Sequence, residues 1–322
     1  MSRELLIFDG TAHSELTDGI VRKLESDLID TKDHSLRVHA EVGSFPDGET
    51  SIKIKDNVRE QDVFVIQPTG PPVNDNIMKS LVIADALRRA SAWRVTLVAP
   101  YFGYARQDRK DMSRVPITAK LVTDLYSASG YNRLLAVDLH AHQIQGFTNL
   151  PFDHLYAGRT IADHLRQELE DPIAVAPDVG AVKMAKGYAR RLGRENDWAI
   201  VDKDRIDGHT TRVTEIVGRS VVGRNAVIFD DMTSTGGSLI GAAKALKHAG
   251  ALTVVAAVTH GVLSEGAIER IEENEDLDCL VITDSLPEAG KSHKIRRITI
   301  APLLAQAIQN IHNGQSVSEL IS

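Results

Sequence analysis

Short runs of β-branched and other apolar residues recur along the chain. Each ends in Gly, Pro or Asp and leads into a segment whose apolar positions have helical spacing. The pattern predicts strands at 62–67, 94–100 and 134–138, and a second series at 173–176, 199–202, 226–229, 253–258 and 279–283. Helices are predicted at 76–90 and 238–249, the second stopping at Gly250, where a left-handed cap favours glycine. Strand and helix in alternation are the rhythm of βαβ units. The expected fold class is therefore α/β, with two doubly wound, parallel-sheet domains.

Asn149, Leu150, Pro151 and Phe152 interrupt the regular pattern and suggest a division into domains 1–155 and 156–322. Residues 104–120 form a polar, charged stretch containing Pro116, set between a strand and a helix. Loops of that length without their own structure tend to be lids or binding loops, so a mobile loop is expected there.

Composition narrows the function classes. The 322 residues are 43% hydrophobic and 25% charged, an ordinary globular balance long enough for about two domains. A net charge of -7 provides no broad basic face, which disfavours nucleic acid and anionic membranes as partners. Cys279 is the only cysteine, so an internal disulfide framework is excluded, and a reducing, cytoplasmic setting is expected. The most apolar stretch, 251–263, is too short to span a bilayer as a helix.

Residues 225–250 carry the strongest chemical signal. An apolar strand runs into Asp230 and Asp231, then Thr233, Ser234, Thr235, Gly236, Gly237 and Ser238, and then a helix. The glycines let the backbone turn with its N–H groups inward, and the following helix adds its positive end, so the loop suits a phosphate. The two acids at the carboxyl end of the strand can hold sugar hydroxyls or metal-bound water. No Gly-Lys-Ser/Thr follows, so this is not a Walker motif. The same spacing also fits an ordinary strand-to-helix turn with a Ser cap.

The segment resembles the phosphoribosyl-binding signature shared by phosphoribosyltransferases and ribose-phosphate pyrophosphokinases. Ribose 5-phosphate is the implied ligand, with Asp230, Asp231, Ser234, Thr235, Gly236, Gly237 and Ser238 around it. Three further motifs separate the two groups. Phe45, Asp47, Gly48 and Glu49 place an aromatic beside two acids, as adenine recognition requires, although Pro46, Asp47 and Gly48 alone would make an ordinary turn. Arg106, Gln107 and Asp108 open the long loop, where a guanidinium fork suits a polyphosphate and a solvated charged loop is the alternative. Asp138, Leu139, His140, Ala141, His142 and Gln143 follow another strand; a lone His there is more often a packed or capping residue than a ligand.

Taken together, these stretches resemble the ribose-phosphate pyrophosphokinase family along essentially the whole chain, through Thr259, His260, Gly261 and the C-terminal HNGQSVSELIS. The resemblance implies transfer of the pyrophosphoryl group of ATP to the anomeric hydroxyl of ribose 5-phosphate, giving phosphoribosyl pyrophosphate and AMP for nucleotide biosynthesis. It implies an ATP site at Phe45, Asp47, Gly48, Glu49, Arg106, Gln107 and Asp108, and Mg²⁺ as cofactor near His140 and Asp178. Lys203 and Arg205 are the implied catalytic cations, with Arg205 also on ribose 5-phosphate, and Lys110 and Arg114 would arrive when the loop closes.

A homo-oligomer is implied too, commonly a hexamer assembled from dimers, with phosphate and ADP regulation at Arg59, Ser91, Arg114, Ser316 and Ser318. Asp204 between the two cations, Ile206 and Asp207 after them, and Ser234 in place of an acid depart from the family pattern. A type I phosphoribosyltransferase and a non-catalytic regulatory relative are the alternatives.

Overall fold

The structure is a computed structural model. It describes residues 3–27, 35–205 and 211–320, the side chains of 203–205 and 211–214 excepted. The chain divides into two compact units, 1–156 with 285–287 and 299–322, and 157–284 with 288–298. The C-terminal segment thus falls in the first unit, whereas the sequence expectation assigned everything after residue 155 to the second.

The first unit holds β1 (Leu5–Asp9), α1 (Ser14–Asp27), the hairpin β2 (Ala40–Ser44) and β3 (Thr50–Ile54), β4 (Asp62–Ile66), α2 (Val73–Arg89), β5 (Arg94–Ala99), α3 (Thr118–Ser129), β6 (Arg133–Val137) and β7 (Phe152–Leu155). Its five-stranded sheet has the order β1-β4-β5-β6-β7, and every pair is parallel. One face packs on α2 and α3 through Val63, Val65, Leu97, Ile83, Leu87 and Tyr126. All five residues of β4 are buried, as a strand covered on both faces requires.

In the second unit the chain runs through α4 (Gly158–Glu168), β8 (Pro172–Ala176), α5 (Val182–Arg191), β9 (Trp198–Arg205), β10 (Thr211–Gly218), β11 (Asn225–Thr233), α6 (Gly237–His248), β12 (Thr253–Gly261), α7 (Ala267–Glu272), β13 (Cys279–Thr283) and β14 (Ile295–Ile298). The seven strands are ordered β10-β9-β8-β11-β12-β13-β14, and only β10 is antiparallel to its neighbour. Leu239, Ala242, Ala243 and Leu246 of α6 cover one face. On α5, Tyr188 stacks on Phe229 of β11, with ring centroids 3.8 Å apart.

Both units are α/β with parallel sheets, as the sequence pattern implies. The reversal of strand order that makes a sheet doubly wound lies in the second unit. From β8 the chain first moves outward to β9 and β10, then returns to lay β11 along the other side of β8. The first sheet instead keeps its strands in chain order, and α1 lies along α8 (Ala301–His312), the helix contributed by the C-terminal segment. Among the described residues no helix is long and apolar enough to cross a membrane.

Candidate active site

The switch point between β8 and β11 is where an open α/β sheet leaves a crevice at its carboxyl ends. Asp178 follows β8 after Pro177, and its Oδ1 accepts the Ala181 N–H at 3.2 Å, capping a short turn. Asp230 and Asp231 lie within β11 rather than after it, because that strand continues to Thr233, four residues beyond the predicted end. Asp230 is half-buried, and its Oδ1 accepts the Asp231 N–H at 2.9 Å. Burial first, then the carboxylates of Asp231 and Asp178, push the Asp230 carboxyl up to about 7. The three acids therefore form one electrostatic group.

The loop after β11 is held from behind. The Thr233 carbonyl accepts the N–H groups of Val262 (2.9 Å) and Leu263 (3.3 Å), and the Ser234 carbonyl accepts from Ser264 N–H (2.9 Å) and Oγ (3.1 Å). The Thr235 carbonyl accepts Arg270 Nε at 3.1 Å. In a planar trans peptide the next N–H points opposite to the carbonyl. Three carbonyls anchored on one side thus turn the N–H groups of Ser234, Thr235 and Gly236 to the other, which is the arrangement of an anion-binding nest.

Gly236 ends this run with φ +77, a conformation that favours glycine, and α6 begins at Gly237. A side chain at Gly237 would meet nothing closer than 3.6 Å within the chain, so its absence matters only to something approaching from outside. Thr235, Gly237 and Ser238 are exposed, at the positive end of a twelve-residue helix. Arg270 and Ser264, which fix the loop from thirty or more positions away, carry no motif and could not be found from the sequence.

Lys203 and Arg205 lie inside β9, which extends past its predicted end; their backbones pair with Val213 and Thr211 of β10. Their side chains are outside the described residues, as are Ile206 and Asp207.

The first unit brings two other predicted stretches together. The segment between β5 and α3 has no regular structure up to residue 117, and α3 takes over at Thr118, so the last three residues of the expected loop are helical. Gln107 braces it, with Thr118 Oγ1 donating to Gln107 Oε1 at 2.5 Å and the Ala119 N–H donating to the Gln107 carbonyl at 3.1 Å. Asp108 Oδ2 accepts Gln143 Nε2 at 2.7 Å, which joins the loop to the stretch after β6. Arg106 and His140 are both exposed, and Lys110 and Arg114 are exposed further along the loop.

The hairpin tip at Phe45–Glu49 stands by itself. Its hydrogen bonds are internal, Phe45 N–H to the Glu49 carbonyl (2.7 Å), Gly48 N–H to the Phe45 carbonyl (2.9 Å) and Glu49 N–H to Asp47 Oδ1 (3.1 Å). Phe45 is 54% exposed, a large aromatic presented to solvent on a rigid turn.

A family model described as the N-terminal domain of ribose phosphate pyrophosphokinase matches residues 5–130, and a phosphoribosyl synthetase-associated domain matches residues 207–322. A ribose-phosphate pyrophosphokinase of Rhodopirellula baltica is 47% identical over 323 residues, covering 99% of this chain and 98% of its own. This chain belongs to the ribose-phosphate pyrophosphokinase family. A pyrophosphokinase of a Marinomonas species is also 47% identical, covering 98% of both chains. A phosphoribosylpyrophosphate synthetase from Mycobacterium smegmatis has the same fold, with a TM-score of 0.86 and 36% identity over 97% of this chain and 100% of that one. Both the nest after β11 and the loop after β5 are thus features of a pyrophosphokinase family member.

Proposed function

We propose that this chain is a ribose-phosphate diphosphokinase that joins the pyrophosphoryl group of ATP to the anomeric hydroxyl of ribose 5-phosphate. The carrying observation is the nest itself: three N–H groups turned to one side at a helix N-terminus, beside paired carboxylates at the switch point of the sheet. A 5-phosphate fits the N–H groups and the hydroxyls of Ser234, Thr235 and Ser238, and Asp230 and Asp231 accept from the ribose hydroxyls.

The anomeric oxygen forms its bond to the β-phosphorus as the bond to the α-phosphate oxygen breaks, and AMP departs. Alignment and positive charge supply most of the catalysis in such transfers. Lys203 and Arg205 are assigned to the charge that develops on the transferred oxygens, and Arg106, Gln107 and Asp108 to the polyphosphate. Phe45, Asp47, Gly48 and Glu49 are assigned to the adenosine, on a tip free to reach the site of a second copy in a homo-oligomer, with a hexamer as the proposed assembly. Closure of the loop carrying Lys110 and Arg114 excludes water as a competing acceptor. The proposed location is cytoplasmic, and the product feeds nucleotide biosynthesis.

Mg²⁺ suits the residues present. Among the described residues no cluster of three or more His, Cys, Asp or Glu side chains makes a metal cage. Magnesium keeps most of its waters and takes one or two carboxylates plus substrate phosphates, so such a cage is not required. The strain on Asp230 beside Asp231 and Asp178 is of the kind a cation relieves. His140 is assigned to the Mg-ATP site and Asp178 to the magnesium and ribose site, and when bound magnesium supplies positive charge against the phosphate oxygens.

Incubation with ATP, Mg²⁺ and ribose 5-phosphate, with and without inorganic phosphate, tests this function. Equimolar AMP and phosphoribosyl pyrophosphate are expected. Absence of both products under either condition would reject the assignment, and nucleobase-dependent consumption of added phosphoribosyl pyrophosphate would point to a transferase.

A further inference from the structure

We infer that His154 is a positioning residue of the ATP half of the site, acting through the Leu139 amide on the turn that presents Asp138 and His140. The inference rests on the assignment of His140 made above.

Asp138 follows β6 with φ +39, a left-handed conformation that is costly for a residue with a Cβ. The sheet ladder stops at this point. The Asp138 N–H still donates to the Leu155 carbonyl at 2.9 Å, but the next amide, Leu139, leaves the sheet and donates to His154 Nε2 at 2.8 Å. His154 sits on β7 opposite Ala136 and is 2% exposed, and Leu139 is buried as well. A buried N–H that has left its ladder requires another acceptor, and the imidazole provides it. The turn and the ring therefore specify each other: without the ring the left-handed Asp138 loses the bond that offsets its strain.

The contact also sets the tautomer. A ring nitrogen that accepts carries no proton, so in neutral His154 the proton is on Nδ1. That atom lies 3.4 Å from His142 Nδ1, which is in turn 3.1 Å from the Tyr156 hydroxyl. The His154 and Tyr156 rings pack with centroids 4.4 Å apart, and His142 lies 5.1 Å from His154. His142 begins the short turn that carries Gln143, the partner of Asp108. One imidazole thus braces the turn around His140 and, one residue beyond His142, the start of the loop carrying Arg106.

A ring that only filled space could be replaced by any side chain of similar volume. A ring that acts through Nε2 demands an acceptor at that distance from the backbone, which Gln supplies and Asn, reaching only as far as Nδ1, does not. The experiment compares His154→Gln, His154→Asn and His154→Leu by kcat, by KM for ATP and ribose 5-phosphate, and by melting temperature. His154→Leu and His154→Asn are expected to lose about tenfold to a hundredfold in kcat, the scale of an ångström-sized misplacement, with KM for ribose 5-phosphate unchanged. His154→Gln is expected to stay within about threefold of the native rate, as a restored bond with no change in uniform binding would.

A folded His154→Leu with native kcat would overturn the inference, and so would His154→Asn matching or exceeding His154→Gln; the second comparison stands even if the Leu variant does not fold. His140→Ala is measured alongside. Full activity there removes the site assignment and this inference with it. Loss of activity in His140→Ala with no loss in His154→Leu or His154→Asn removes only the role of His154.

Discussion

His312 Nδ1 lies 2.8 Å from Asp62 Oδ2, a contact between residues 250 positions apart that joins the end of α8 to the first residue of β4. The Asp62 carboxylate is fully buried, and Arg94 grips it in a fork, Nε to Oδ1 at 2.8 Å and Nη2 to Oδ2 at 2.5 Å. The same guanidinium donates to the Ile311 carbonyl at 3.0 Å. Burial by itself would raise the Asp62 carboxyl; the hydrogen bonds from His312 and Arg94 outweigh it and hold the group below its ordinary value. A lowered carboxyl contributes stability above its ordinary value of 3.8 and loses it as pH falls through the lower folded value. Asp62→Ala, which leaves Arg94 without its partner, is expected to lower stability by about 3 kcal/mol in urea unfolding at pH 7, and Asp62→Asn to flatten the acid limb of the pH profile.

Asp230 has the opposite sign. Its folded value of about 7 exceeds the ordinary 3.8, so between those values the folded chain holds a proton that the unfolded chain has released. Stability of the ligand-free protein is expected to fall as pH rises through that window and to level off above it. Asp230→Asn removes the slope and raises the melting temperature at pH 8 by roughly 3 °C. Melts of both proteins from pH 5 to 8 check this, and parallel profiles would contradict it.

The two loop glycines should separate. Gly236→Ala forces a Cβ into φ +77 and to within 3.3 Å of Ile271, so it is expected to cost about 1–2 kcal/mol of stability and to disturb the nest. Gly237→Ala has room in the chain and is expected to fold with native stability yet bind ribose 5-phosphate more weakly. Calorimetric titration beside thermal melts distinguishes the two; equal melting temperatures would refute the steric account of Gly236.

Arg270 holds the Thr235 carbonyl and with it the Gly236 amide. Arg270→Met keeps the aliphatic stem and deletes a charged hydrogen bond worth about 1.5–3 kcal/mol. KM for ribose 5-phosphate is expected to rise about tenfold or more while KM for ATP stays put, as steady-state kinetics with each substrate varied will establish.

Lys203→Ala is expected to abolish turnover while leaving folding and ribose 5-phosphate binding largely intact. Retention of a near-native rate would withdraw its catalytic assignment.

The apolar runs at 62–67, 94–100 and 134–138 became β4, β5 and β6 because strands buried on both faces need continuous apolar sequence, whatever their partners. Boundaries were less legible. β9 and β11 outrun their apolar cores, since β10 and β12 extend the ladder through Lys203, Arg205, Asp230 and Asp231, and hydrogen bonds to a neighbour are not written in a strand's own hydrophobicity.

The sequence alone determined the class of fold, the strand-turn-helix of the phosphate loop and the residue types the chemistry needs, because these depend on side chains within one or two turns of each other. Tertiary structure decided which unit α8 joins, that Arg270 and Ser264 aim the loop, that burial and then the Asp231 and Asp178 carboxylates raise Asp230, and that a buried His154 receives the Leu139 amide. An amphipathic face states that it must be buried and not where. A carbonyl or an amide leaving its ladder takes whichever partner the crossover connections bring within 3 Å, and that follows from the order of the strands rather than from the residues beside it.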